Sequence, residues 1–221
     1  EAFYTSILNS LPMGFYSASQ LVQDAKRHNV MILPVCVNQS LYDHQVVKCG
    51  DKFAIRLGLR QIKGFSIESS HQLIKARGKQ GFSHPNQLKH IGLNRRDIEL
   101  LASANAMQSI ANNRYQTRWS MMDSLSDLPL FKSIQETDSI PVAAPSEMQT
   151  LIEDYAATGL SLQQHPIRLL DKAGMLGRFT RMSELITRPH QSLVTVVGVV
   201  TGKQAPGTAA GVTFFTLEDD T

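Results

Sequence analysis

Leu59-Arg60-Gln61-Ile62-Lys63-Gly64-Phe65-Ser66, continuing into Ile67-Glu68-Ser69-Ser70-His71-Gln72-Leu73-Ile74, reads as a helix, a tight turn and a second helix. Apolar residues at 59, 62, 65, 73 and 74 would close the two helices on each other. Gly64 gives the turn a position without a Cβ, where φ can be positive and a second backbone can come close. Ser66 stands where an N-cap belongs, its hydroxyl ready to accept from a first-turn N–H. The exposed product is a helix N-terminus beside Lys63, a natural seat for a phosphate. This helix-hairpin-helix pattern points to a nucleic acid backbone. The plainer reading of the same residues is an αα-hairpin that only packs.

Charge separates the two readings. Between Lys52 and Arg118 lie 12 basic and three acidic side chains, about +9 by count, whereas residues 1–51 come to about −1 and residues 119–221 to about −5. The overall +3 therefore hides a basic middle. A basic block that coincides with a phosphate-binding turn is the electrostatic footprint expected of DNA binding.

At 221 residues and 42% hydrophobic content the chain can bury one or two real cores. No apolar run reaches the roughly 20 residues of a membrane span, and the N-terminus has no basic-then-apolar leader. A cytoplasmic protein without membrane contact is expected. Cys36 and Cys49 are too few and too far apart for a zinc site or disulfide framework, and two reduced thiols are expected. The seven histidines show no metal spacing, so no metal site is expected in this stretch. The chain opens inside a helical pattern and closes directly after a strand, which reads as a piece of a larger protein.

The remaining elements follow from periodicity. Residues 1–34 read as helix, loop and helix, broken at Leu11–Tyr16 and capped again at Ser17. Met31–Val37 reads as a buried strand and Lys52–Leu57 as another. A short helix is expected near Asn86–His90. A second hairpin follows: Asn94 caps a helix with Ile98, Leu101 and Ala102 inward, Ala104–Met107 turns, and Gln108–Trp119 is helical. Asn105 stands where Gly64 stands, as the commonest non-glycine residue in left-handed turns.

Residues 120–146 read as a linker. Within it, Asp127-Leu128-Pro129-Leu130-Phe131 could dock on a partner, or its Leu128, Leu130 and Phe131 could pack on this chain's own helices. Ser146 begins a helix with Met148, Leu151, Ile152 and Tyr155 on one face, ended by Gly159. His165-Pro166 begins another, with His165 as cap and Gly174 as stop. Leu193–Thr201 and Val212–Leu217 read as strands around a Gly-rich loop, which suits the opening of an OB-type barrel. The fold expected is mainly α with a small β part, divided at 1–50, 51–119, 120–190 and 191–221.

Four motifs then resemble bacterial C-family DNA polymerase alpha subunits: Pro12–Ser17, Arg56–Gly64, Asp154–Leu162 with His165-Pro166, and Pro206–Asp220. The Thr158–Leu162 motif and the Gln204–Gly211 loop resemble the error-prone, damage-induced branch. The resemblance covers essentially the whole chain and implies the order fingers end, tandem helix-hairpin-helix, linker and incomplete OB-fold. It also implies primer extension with Mg2+ on carboxylates upstream of residue 1, so this part should bind DNA without polymerising it. Asp219 and Asp220, beyond the last strand, offer no replacement site. The sliding-clamp peptide of such polymerases is similar to Asp127–Phe131, with Asp127 in place of the usual Gln, so weak or absent clamp binding is expected. Accessory mutagenesis subunits are the other implied partners.

Arg60, Lys63, Gly64, Phe65, Ser66, Asn105 and Met107 are the expected phosphate-contacting residues of a duplex. Arg77, Lys79, Arg95, Arg96 and Arg114 are expected to add charge. Lys203, Gln204 and Phe214 are the expected contacts to single-stranded template. Such binding is independent of sequence, and five neutralised phosphates give a log–log salt slope of about −4 to −5. The alternatives are a non-enzymatic helix-hairpin-helix repair factor and a protein-interaction module.

Overall fold

The computed structural model describes residues 1–14, 16–122, 142–208 and 211–221. The peptide Asp127–Phe131, with Leu128, Leu130 and Phe131, lies outside the described residues. The described chain is mostly helical with two small sheets and packs as two units, Glu1–Leu162 and Gln163–Thr221.

In the first unit, α1 (Ala2–Asn9) and α2 (Ala18–Arg27) bury Tyr4, Leu8, Leu21, Val22 and Ala25. Ser17 caps α2 by accepting from the Gln20 N–H, while the Gln20 side chain accepts from the Ser17 N–H. A three-stranded sheet follows, with β1 (Met31–Leu33) parallel to β3 (Lys52–Arg56) and β2 (Gln45–Cys49) antiparallel to it. β1 is shorter than the expected Met31–Val37 and exposes Met31, because it is an edge strand; burial begins only at Val35. β2 was not expected from the sequence.

Leu59–Gln61 forms one 3-10 turn instead of the expected helix. The Leu59 and Arg60 N–H groups donate outward to Leu41 O (2.8 Å) and Tyr42 O (3.0 Å), and the positive-φ turn at Gly64 closes the segment before a longer helix can form. Gly58 permits this approach, since a Cβ there would stand 2.3 Å from Tyr42 O. After the Gly64 turn come α3 (Ile67–Arg77), a 3-10 turn at Pro85–His90, α4 (Arg95–Ser103) and α5 (Arg114–Met122). The helix expected over Gln108–Trp119 thus begins only at Arg114, after turns and bends. α6 (Glu147–Thr158) starts at the Ser146 cap and ends at Gly159, φ +77°. Its expected apolar face is half realised: Leu151 is buried but Ile152 is 61% exposed.

One core runs from Tyr4 through Val37, Leu59, Leu73 and Leu101 to Leu160. Packing therefore does not divide the chain at residues 50 or 119, because helices before the sheet and both hairpins share the same buried cluster.

In the second unit, α7 (Pro166–Lys172) is capped by His165, whose Nδ1 accepts from the Ile167 N–H. β4 (Val199–Gln204) pairs antiparallel with β5 (Phe214–Glu218), around a bulge between Val200 and Gly202. The first strand lies later than expected and takes in Gly202, Lys203 and Gln204, which the sequence suggested as loop. Asp219, just beyond the last strand, is buried: it accepts from the N–H groups of Met182 (2.7 Å) and Thr221 (2.9 Å). Burial opposes its ionisation, but these bonds, the Thr221 hydroxyl and Arg181 outweigh it and hold the carboxyl below its ordinary range. Arg181 also pairs with Asp220 and Asp171.

Candidate nucleic-acid interface

The first hairpin is built as a helix N-terminus. Gly64 takes φ +79°, a conformation that strains any side chain. Ser66 Oγ accepts from the Ser69 N–H at 3.0 Å, and Ser70 N–H bonds Ser66 O. The N–H groups of Gly64, Ser66, Ile67 and Glu68 have no partner among the described residues. Lys63, Gly64 and Ser66 are exposed, while Phe65 is buried in the core beneath them.

A second helix N-terminus meets the first. Asn94 Oδ1 accepts from the Asp97 N–H (2.8 Å) and caps α4. The Asp97 carboxylate, 6% exposed, accepts from Ser69 Oγ at 2.7 Å, and Ser69 Oγ is 2.9 Å from Ser66 Oγ. This chain of three side chains, with Asn94 holding the Asp97 backbone, ties the first turn of α3 to the first turn of α4. Arg96 lies over the hairpin: a Cβ on Gly64 would stand 3.6 Å from Arg96 Nη2. Two positive helix ends therefore adjoin a guanidinium that has no partner among the described residues. Arg95 and Arg96 occupy the first two positions of α4, where the helix dipole disfavours cations by about 0.3–1 kcal/mol each. An anion bound there offsets that cost.

The remaining cations divide sharply. Lys79 and Arg95 are exposed with no partner among the described residues, and so is Lys75. Arg60 instead holds the fold: it donates to Asn9 O (2.7 Å), Leu11 O (3.2 Å) and Asp43 Oδ1 (2.8 Å). Arg77 donates to Val37 O and Ser40 O at 3.1 and 2.7 Å. Arg114 is 2% exposed and bonds Asp154 Oδ1 (2.5 Å) and Ser103 O (3.0 Å). Its burial removes it from the expected charge-bearing set, since a phosphate cannot reach it. Arg118 joins Glu99 and Glu153.

Lys63 sits between the two groups. Its N–H donates to Ala157 O (2.9 Å) and its ammonium to Tyr155 O (2.7 Å), at the C-terminus of α6. A cation suits a helix C-terminus, and two ammonium donors remain. Gln61 Nε2 reaches Thr158 O (2.7 Å) on the same stretch. Asp154 binds Ser161 Oγ (2.7 Å) as well as Arg114. The Asp154–Ser161 motif thus straps the first hairpin to α5.

The second hairpin is built differently. Asn105 does take positive φ, +54°, as the sequence suggested. Its neighbours turn inward, however: Ala106 and Met107 are each 1% exposed. The N–H groups of Ala104, Asn105 and Ala106 bond Leu100 O, Ala102 O and Leu101 O, and Ala106 O accepts from the Val37 N–H. Met107, expected to approach phosphate, is a core residue. In the second unit, Gln204 pairs with Phe214 across the ladder, and Lys203 Nζ stands 5.8 Å from the centre of the Phe215 ring. Phe214 and Phe215 are each 56% exposed.

Comparison with known proteins agrees with this geometry. A family model described as a helix-hairpin-helix motif matches residues 29–117. The error-prone DNA polymerase of Vibrio campbellii is 59% identical over 220 residues, covering 99% of this chain and 22% of that protein. The error-prone DNA polymerases of Azoarcus sp. and Hahella chejuensis are 42% and 40% identical over the whole chain, again 22% of their length. The chain thus spans about a fifth of the relatives it matches, and along that length it is homologous to proteins named error-prone DNA polymerase. No helix among the described residues is long and apolar enough to cross a membrane.

Proposed function

We propose that this chain is the duplex-gripping part of an error-prone DNA polymerase that copies damaged template. The first hairpin takes a backbone phosphate on the N–H groups of Gly64, Ser66, Ile67 and Glu68, with Arg96 above it. The observation that carries this reading is the convergence of two helix N-termini and a free arginine at one glycine turn. Lys63, Lys79 and Arg95 supply further charge. Arg60 and Arg77 act indirectly, by fixing the loop and sheet on which the hairpin stands. Phosphate contacts of this kind position a duplex without reading its bases.

In the second unit, exposed Phe214 with Lys203 and Gln204 supports a place for single-stranded template, by stacking and charge on one ladder. Nucleotidyl transfer, its Mg2+, and any sliding-clamp or accessory-subunit contacts are proposed for the longer protein, acting in the cytoplasm.

Duplex affinity measured against salt tests the grip. With three to four phosphates neutralised, log K should fall with log salt at a slope of about −3 to −4. A slope near zero, or no binding at low salt, would overturn the proposal.

A further inference from the structure

A pocket of about 400 Å³ opens beside the hairpin, within the first unit. Leu8, Leu11 and Met13 give it an apolar wall, Tyr42 and Tyr16 give aromatic surface, and Lys63 and Gln61 stand at one side. Its volume suits a small organic ring system.

His44 is the polar group that distinguishes this pocket from a surface dent. The residue is 4% exposed and lines the cavity. Its Nδ1 accepts the Gly58 N–H at 3.0 Å, so in the neutral ring the hydrogen resides on Nε2. Burial and the Arg60 charge hold the ring neutral down to about pH 4. Nε2–H has no partner among the described residues. Nε2 is not one of the fully buried atoms without a partner, so solvent reaches it in the free protein and a ligand acceptor would take that solvent's place. Arg60, which also lines the cavity, has three of its five donors engaged by Asn9, Leu11 and Asp43 and is held in place by them.

The required occupant has a flat ring, a carbonyl or ring-nitrogen acceptor on its edge, and a negative charge near Lys63. We infer that this pocket takes a nucleobase, from an unpaired nucleotide of the strand whose phosphate the neighbouring hairpin holds. Tyr16, 58% exposed, stacks on the base at the mouth, and His44 Nε2–H donates to its edge. The strand assignment rests on the DNA-binding reading above; the base chemistry of the pocket does not.

The test compares a duplex carrying a short thymine overhang with the same duplex carrying abasic residues there, by titration and by the imidazole Nε2–H signal of His44. Thymidine 5′-monophosphate is the third ligand. The thymine duplex should bind about tenfold tighter than the abasic one and shift the His44 signal. Tyr16→Ala, and Ala18→Leu at a position that lines the cavity, should each abolish that difference while the abasic duplex binds as before. Equal affinities with an unmoved His44 signal would overturn the inference and leave the phosphate grip standing. A shift with the mononucleotide but no gain from the overhang would assign the pocket to free nucleotide and overturn the strand assignment. If neither duplex binds, the grip itself fails; the mononucleotide titration then decides the base site alone, a silent His44 overturning it.

Discussion

The two hairpins share a turn but not a surface. Gly64 and Asn105 both take positive φ. Gly64 is followed by a capped eleven-residue helix whose first N–H groups face outward, with Arg96 alongside. Asn105 is followed by two residues buried in the core and a run of turns in which the N–H groups of Gln108, Ile110 and Ala111 bond back to the protein. A positive-φ residue between helices is therefore insufficient for a phosphate site. The decisive features are free N–H groups and an uncommitted cation, and only the first hairpin combines them among the described residues.

The largest expected effect concerns a cation on the inner side of this contrast. Arg114→Ala removes a buried guanidinium and leaves half-buried Asp154 with only its Ser161 bond, and should cost about 3–5 kcal/mol in urea unfolding. Duplex affinity, measured where the variant stays folded, should be unchanged. A loss of affinity with unchanged stability would return Arg114 to the interface. His44 comes next, because it anchors Gly58 at the foot of the first hairpin. Its folded pKa of about 4 lies below the unfolded 6.5, so the native state favours the neutral ring. The stability this gives is complete above pH 6.5 and declines as pH falls through 4, by about 3 kcal/mol in all. Urea midpoints across that range should show the decline, and His44→Asn should flatten it.

Much of this arrangement was legible because its causes are local. Ser17, Ser66, Asn94, Ser146 and His165 cap the helices that their spacing suggested, each through a bond two or three residues away. Gly64, Asn105 and Gly159 mark left-handed turns for similarly local reasons. The fates of the arginines were hidden, since their partners are remote. Arg114 meets Asp154 40 residues on, and Lys63 meets Tyr155 92 residues on. A count of about +9 could not distinguish the cations holding α6 and the loops from those left free. Gly58 was likewise silent, because its need comes from the backbone of Tyr42. β2 was missed because Gln45–Cys49 has no clean alternation, and its partner strand decides its pairing.

Smaller effects sharpen the contrast on the outer side. Arg96→Glu should weaken duplex binding about tenfold, roughly 1.4 kcal/mol, with stability within about 0.5 kcal/mol of the parent, as expected for an exposed side chain. Gly64→Ala should cost about 1 kcal/mol of stability through its positive φ and should also weaken binding. Asn105→Gly should change stability by only a few tenths of a kcal/mol and leave binding untouched. If Asn105→Gly altered affinity as much as Gly64→Ala, the two hairpins would be functional equals.

Backbone amide shifts during titration with duplex DNA test the division most directly. The signals of Gly64, Ser66, Ile67 and Glu68 should move together and saturate, while those of Ala104, Asn105 and Ala106 stay in place. Comparable shifts at both turns, or movement confined to the Asn105 turn, would contradict the assignment of the grip to the first hairpin.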